Sequence, residues 1–559
     1  MISVRDLDRS PLTFFEAHEC AASVSSMANK MTVQMNLFGG TLLRLGTAEH
    51  HKLLPKVDSG RLMGCFAVAE IGFGNNAVCM KTTMEYHAST DTLDIHTPCK
   101  EAEKFWITNG FLHASHAVVF ANLIVESTNH GVHAVLCRIR NANGTPCDGV
   151  TITDLGEKLG CNGVDHAKLS FHHVHVPRAN LLDRFTQLAP GGHLTTSLDG
   201  RRRRFLAVTD QLASGRLCLA SFGLAECKKC LTIAVRYSSV RLCFGGCPAG
   251  ASDFPILHYG SQMRALLPAL AKTYVMQAGL DYARQRYQAQ YPSPDPDRSV
   301  DPSEPPLVAT ICAMKAYVTW AAVAVANTCR ERTGGQGYLK LNQIAASIGA
   351  AHACVTSEGD NIVLVQKTCR DLVFSLGQSI KTGGLPKTFL TTALSRVVYR
   401  FSQLVTDIRV IKYQLAALKA REDRLLFRLA LLLGSTRGPQ QFDTWNSQLD
   451  LVQAVSRAFT ERLMFEQFLR RVDTCEEETM KPILRRLASL FALSCMESDL
   501  PWFLSCGALS GSQVPVIQTE IDALCRDIVP DALTLVEGFG IPEHMITAPI
   551  AHVDYAQRI

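Results

Sequence analysis

The chain is predicted to be an α+β protein, with a short helical region at 1–62, a central β domain at 63–185, a helical bundle at 205–380 and a further helical domain at 387–559. Three observations carry this expectation. Short β-rich runs crowd between Met63 and Leu182, whereas beyond Phe205 apolar residues recur at helical spacing with few strand signals. The 559 residues are too many for one core, since roughly 100–200 make a domain. Helices, then strands, then helices is not an alternating βαβ chain, so a Rossmann fold is disfavoured.

In chain order, residues 12–56 place Phe14, Phe15, Val24, Met27, Met31, Met35 and Leu37 at helical spacing, with stops expected at Gly39-Gly40 and Pro55. The β domain is read from runs at 81–86, 93–96, 117–125, 132–139 and 169–176, separated by Ser-Thr-Asp, Asn-His-Gly and Asn-Gly turn signals. The helical part has one clear interruption at 291–306, where six prolines predict an exposed connection between two helices. A second break at Thr382-Gly383-Gly384-Leu385-Pro386 separates a helix ending near Ser379 from the last helical region, itself divided near 434–441.

Composition narrows the class. Apolar residues make up 47%, charged residues 19%, and the net charge is +5, which describes a globular protein with no nucleic-acid partner. The four arginines at 201–204 lack aromatic interleaving and basic surroundings and read as a surface loop. The uncharged apolar stretch 316–329, which follows Lys315, is shorter than the ~18–20 residues of a membrane span and reads as a buried helix. Asp6, Asp8, Glu16 and Glu19 break any signal-peptide pattern, so an intracellular, reducing compartment is expected. The twenty cysteines, scattered from Cys20 to Cys525, then read as small buried thiols without a disulfide framework.

Several patterns invite chemistry and are set aside. Gly72-Phe73-Gly74 opens like a dinucleotide fingerprint, but the third glycine and the following helix are missing. Cys227 and Cys230 with Cys243 and Cys247 outline a zinc site, yet helical spacing through 217–237 favours buried thiols, and no metal is predicted. His172, His173 and His175 read as one strand with His173 and His175 on one face, lacking a nearby carboxylate or cysteine, so a solvated strand face is expected.

One series of segments is specific. Gly64-Cys65-Phe66-Ala67-Val68-Ala69-Glu70-Ile71-Gly72-Phe73-Gly74-Asn75 resembles the GCxAxTExGHGxN signature that begins the acyl-CoA oxidase β domain. Matches follow in the family's order at Lys104-Phe105-Trp106-Ile107-Thr108-Asn109, at 116–123, at 176–182, at Arg236-Tyr237-Ser238-Ser239-Val240-Arg241, at Gly334-Gly335-Gln336-Gly337-Tyr338 and at Glu358-Gly359-Asp360-Asn361. Over residues 60–375 the chain therefore resembles the acyl-CoA oxidases of the acyl-CoA dehydrogenase superfamily.

The resemblance implies a flavoprotein of fatty acid β-oxidation. FAD would be bound across a homodimer, and fatty acyl-CoA would be α,β-dehydrogenated to trans-2-enoyl-CoA with O2 as acceptor, giving hydrogen peroxide. Glu358 stands in the position of the catalytic base, where desolvation by substrate would strengthen it; capping of a helix beginning near Asp360 is its bland alternative. Cofactor positions fall on Ala69, Trp106, Thr108, Arg241, Phe244, Gly334, Gly335 and Gly337, and acyl-CoA positions on Gly74, Asn75 and Gly359. An arginine fork suits pyrophosphate, and the glycines let backbone approach phosphates, although Arg241 also reads as a surface arginine and the glycines as a helix C-cap.

Departures from the family pattern leave alternatives open. Ala69 replaces a threonine whose hydroxyl contacts flavin, Phe73 replaces a histidine near the acyl-CoA entrance, and Thr108 follows the dehydrogenase form where oxidases usually have glycine. About 60 residues precede the β domain, fewer than in relatives. A dehydrogenase passing electrons to a carrier protein and a catalytically impaired binding protein are the rival readings. The resemblance implies a peroxisomal location, otherwise cytoplasmic, since Gln557-Arg558-Ile559 is a poor import tripeptide.

Overall fold

The structure is a computed structural model describing residues 2–198, 200–209, 211–246, 252–290, 304–381 and 407–559. It divides into two units, Met1–Cys218 with Tyr287–Pro294, and Leu219–Arg286 with Asp295–Ile559.

In the first unit, helices Pro11–Ala21 and Ser25–Met31 lead into a π-helical stretch, Thr32–Gly39, that continues directly as helix Gly40–Leu45. The expected stop at Gly39-Gly40 is thus corrected. Both glycines are there for close approach: a Cβ on Gly39 would lie 2.5 Å from Val4 Cγ2, and one on Gly40 2.5 Å from Gln211 Nε2. Pro55 likewise ends nothing. It lies in the first turn of helix Leu54–Asp58, where its missing N–H is not needed.

The β domain holds β1 (Gly64–Ala67), β2 (Thr83–His87), β3 (Thr92–His96), β4 (Lys104–Thr108), β5 (His116–Val125), β6 (Thr128–Arg138), β7 (Val150–Asp154), β8 (His166–Phe171) and β9 (Val174–Pro177). Strand β5 is the spine of the larger sheet. It pairs in parallel with β1 through Gly64↔His116 and with β2 through Thr83↔Asn122, and antiparallel with β6. Glu126 and Ser127, both at positive φ (47° and 61°), make the tight β5–β6 turn. Strand β3 joins β2 to β9, and a second, antiparallel sheet runs β4-β8-β7. Leu93, Ile95, Val119 and Ala121 of the first sheet share one core with Ile107, Leu169 and Phe171 of the second.

The run 169–176 is two strands in different sheets, because the chain turns at His172–His173 with His173 at φ 51°. His173 and His175 therefore do not project from one strand. A carboxylate is also present, contrary to expectation: β3–β9 pairing sets Asp94 opposite His175, and His173 Nδ1 lies 2.8 Å from Asp94 Oδ2. The arginines at 201–204 open a helix, Arg201–Val208, rather than a loop. Arg201 Nη2 donates to the Asn129 carbonyl (2.6 Å) and Arg204 Nη2 to the His130 carbonyl (3.2 Å), tying this helix to the start of β6.

The remaining chain is helical, with α1 (Leu212–Val240), α2 (Gly260–Gln290), α3 (Leu307–Arg332), α4 (Ile344–Thr356), α5 (Asn361–Lys381), α6 (Ile411–Gly434), α7 (Leu449–Asp473), α8 (Lys481–Ser498) and α9 (Gln513–Ile528). In the second unit α3 packs on α4 and α5, α7 on α5, α6 and α8, and α8 on α9. Cys312, Ala316, Leu364, Cys369, Leu425, Val455 and Phe459 form the shared core. Helix α3 is, by length and composition, able to cross a membrane, yet 72% of its most apolar window is buried by protein, in line with the buried-helix reading of its apolar run. Helix α2 ends at Gln290 and α3 begins at Leu307, as the proline run predicts, while 291–303 and the break at Thr382–Pro386 lie outside the described residues.

The described cysteines are free thiols. Cys227 and Cys230 are buried in α1, where burial pushes the Cys230 thiol up to about 12; Cys243 is exposed, and Cys247 lies outside the described residues. Among the described residues, no group of three or more His, Cys, Asp or Glu is arranged to hold a metal ion.

Candidate functional site

In the first unit, the segment after β1 forms an exposed loop anchored by one buried carboxylate. Glu70 accepts from the Lys81 and Thr82 backbone N–H groups (2.8 and 3.0 Å), from the Thr82 hydroxyl (2.5 Å) and from Lys104 Nζ (3.0 Å). Burial pulls the Lys104 ammonium down to about 8, outweighing the opposing pull of Glu70. Gly74 (φ 37°) and Asn75 lie on the exposed face of this loop, and the Lys81 ammonium sits 5.4 Å from the Phe73 ring centroid. Ala69 offers no hydroxyl; its carbonyl accepts from the Phe105 N–H at 3.0 Å.

The pairing of β4 with β8 slips between Lys104 and Ile107, and this irregularity sends Trp106 outward with φ 61° and 58% exposure. Two residues on, the Thr108 hydroxyl lies 3.0 Å from His166 Nε2, and the His166 ring stands edge-on to Trp106 with centroids 5.7 Å apart. Burial pushes His166 down to about 4, so it is a neutral hydrogen-bonding partner near neutral pH. Trp106 and Thr108 are thus brought together, with His166 as a partner that motif reading missed.

In the second unit, Arg241 and Phe244 flank strand Leu242–Cys243 of an exposed hairpin that pairs with Phe254–Pro255. The Arg241 guanidinium hydrogen-bonds the Tyr555 side chain, and the Phe244 carbonyl accepts from the Tyr259 hydroxyl. Gly334, at φ 60°, follows the C-cap of α3, so the C-cap reading of this glycine holds. A Cβ on Gly334 or Gly335 would meet nothing within 4 Å, whereas one on Gly337 would lie 2.2 Å from Thr333 Oγ1. The first two present open backbone and the third permits the fold.

Glu358 lies in the turn between α4 and α5 at φ 51°, followed by Gly359 at φ 105°. The cap of α5 comes from Asp360, whose Oδ1 accepts from the Ile362 N–H at 2.9 Å. The turn is held from α3: Lys315 Nζ donates to the Val355 carbonyl (3.0 Å), the Gly359 carbonyl (2.9 Å) and Asn361 Oδ1 (2.9 Å).

Comparison with known proteins identifies the family. The families described as "Acyl-CoA oxidase, C-alpha1 domain" and "Acyl-CoA oxidase" match residues 210–373 and 411–554. The chain is 32% identical to peroxisomal acyl-coenzyme A oxidase 3 of Arabidopsis thaliana over 546 residues, covering 95% of this chain and 78% of that protein. The chain belongs to the acyl-CoA oxidase family. It is also 31% identical to the acyl-coenzyme A oxidase-like protein of Mus musculus, over 95% of this chain and 84% of that protein. The crystal structure of acyl-CoA oxidase 1 from Yarrowia lipolytica matches with a TM-score of 0.85 at 27% identity, over 98% of this chain and 81% of that one. Acyl-CoA oxidase-1 of Caenorhabditis elegans, solved with FAD and ATP, matches with a TM-score of 0.82 at 23% identity, over 94% and 78%. The α+β architecture is that of the acyl-CoA oxidases, and the chain is an oxidoreductase of that family.

The residues present fit a flavin. The first unit by itself offers an outward indole and a threonine hydroxyl beside a neutral histidine, and the second by itself an exposed arginine and open glycine backbone, each of a chemistry that suits a flavin.

Proposed function

We propose that this chain oxidises fatty acyl-CoA to trans-2-enoyl-CoA, with Glu358 removing the α-proton, in the peroxisomal setting of the relatives named so. Trp106, Thr108, Gly334, Gly335 and Gly337 would hold FAD, with Arg241 and Phe244 reaching it from a second copy in a homodimer; Ala69 lines the same region without the family's hydroxyl. Bound FAD supplies the hydride acceptor and, by reoxidation with O2, yields hydrogen peroxide. Gly74, Asn75 and Gly359 are assigned to the acyl-CoA, Gly359 because a residue without a side chain beside the base lets a thioester approach closely.

The observation that carries this reading is the backbone at Glu358. A non-glycine residue held at φ 51° between two helices, with the cap of α5 left to Asp360, is strain that the surrounding structure maintains, as functional positions do. The flavin absorbance of the purified protein should bleach on adding palmitoyl-CoA, with peroxide released in air. Glu358→Gln should slow bleaching by roughly 100-fold or more while FAD stays bound. Wild-type turnover in that variant would overturn the assignment of the base, bleaching without peroxide would indicate a carrier-linked dehydrogenase, and a yellow protein that no acyl-CoA bleaches would indicate a binding protein.

A further inference from the structure

The apolar helix α3 carries an ammonium group in its interior. Lys315, between Met314 and Ala316, is 0% exposed, and a charge taken out of water is retained only where its donors are well matched. Its Nζ meets three acceptors that all belong to the turn bearing Glu358. Val355 contributes one of the last carbonyls of α4, Gly359 is the next residue after Glu358, and Asn361 is the first residue of α5. Cations suit the carbonyl end of a helix, and here the cation also reaches past that end to the start of the next helix.

The grip is doubled by neighbours on α3. Asn361 Nδ2 donates to Thr319 Oγ1 (2.9 Å) and to the Ala316 carbonyl (3.2 Å), and the Thr319 hydroxyl donates to the Lys315 carbonyl (2.9 Å). Both sides of Glu358 are therefore fastened to one helix, while Glu358 sits at a positive φ that non-glycine residues seldom adopt, with Gly359 also at positive φ beside it.

We infer that Lys315 is a positioning residue for Glu358: its ammonium fixes the backbone on both sides of the base and so sets where the carboxylate stands relative to the substrate α-carbon. This rests on Glu358 being the base. Proton abstraction needs the carboxylate within hydrogen-bonding reach of the proton, and a displacement of about 1 Å costs on the order of 100-fold in rate. Lys315 acts through backbone, so its loss affects the rate of flavin reduction rather than cofactor retention.

The test uses the full-length, FAD-loaded protein and the variants Lys315→Gln, Lys315→Met and Glu358→Gln. Two readouts are taken: anaerobic flavin bleaching by palmitoyl-CoA, and hydrogen–deuterium exchange of peptides spanning 352–364. Both Lys315 variants are expected to bleach on the order of 100-fold more slowly at saturating palmitoyl-CoA, with half-saturation changed by no more than about twofold and FAD content retained. Exchange across 355–361 should quicken in them and not in Glu358→Gln. If Lys315→Met does not fold, Lys315→Gln, whose side chain is one atom shorter and cannot carry donors to all three acceptors, decides the matter. Bleaching within about threefold of wild type, or unchanged exchange at 355–361, overturns the inference. Wild-type bleaching by Glu358→Gln removes the base assignment, and the exchange result then still reports separately on whether Lys315 holds the turn.

Discussion

Lys104 in the first unit and Lys315 in the second are both wholly buried, and each fastens a segment of a sequence motif. Lys104 meets a carboxylate: it closes the loop after β1 by pairing with Glu70, which also collects the backbone of residues 81 and 82. Lys315 gathers two backbone carbonyls and an amide oxygen around the turn that carries Glu358. The difference separates two uses of a buried cation. A charge pair defines a fold locally and fails badly when halved, whereas a cation on carbonyls holds a backbone path, and its loss is felt where that path carries a reacting group.

The largest effect expected from this contrast is on stability. Lys104→Met strands Glu70 as a buried charge and should cost ~3–5 kcal/mol in urea unfolding, and removing both charges with Glu70→Gln should recover part of it. Lys315→Met leaves three acceptors unsatisfied but also relieves the burial of an ammonium, and should cost less, about 1–3 kcal/mol in all. Equal losses from the two lysine variants would erase the distinction.

A second prediction concerns acid. His133 and His166, both in the first unit, are pushed by burial from 6.5 down to about 4. Between those values the unfolded chain binds protons that the folded chain does not, so stability is present above about pH 6.5 and drains away as pH falls towards 4. Replacing both by Asn should flatten the unfolding free energy over that interval; an unchanged slope would show that other groups dominate.

Smaller effects separate conformation from contact. Gly334→Ala meets no atom within 4 Å, so its cost should be purely conformational, about 1 kcal/mol in thermal unfolding. Thr108→Val removes the hydroxyl held by His166 and should weaken FAD retention by roughly fivefold, the worth of one neutral hydrogen bond, as read by flavin fluorescence on dilution. No change there would assign Thr108 to the strand alone.

Much of the architecture was legible because it is written in periodicity. The apolar runs that became β5 and β6, the helical texture beyond Phe205 and the proline-marked gap before α3 need only local pattern. What escaped depends on partners. The run 169–176 has one uninterrupted strand composition, and only sheet assignment reveals the turn at His173. Gly39 and Gly40 read as a stop until Val4 and Gln211 are seen against them. Motif matching pointed to Glu358, Trp106 and Thr108, yet Lys315 was visible only as an interruption of an apolar run and His166 not at all, because a residue that positions another leaves no spacing signal.

The three-way partnering of β5 has a consequence for the order of synthesis. Among the described residues, β1 pairs with no strand other than β5, and β2 has only β3 beside it until β5 exists. On a ribosome adding roughly 5–20 residues each second, the motif loop after β1 spends several seconds outside the tunnel before residues 116–125 arrive to complete its sheet. The larger sheet therefore cannot assemble before β5 emerges, with β6 and β9 added later still, and the first fifty residues of the β domain wait for it in the growing chain.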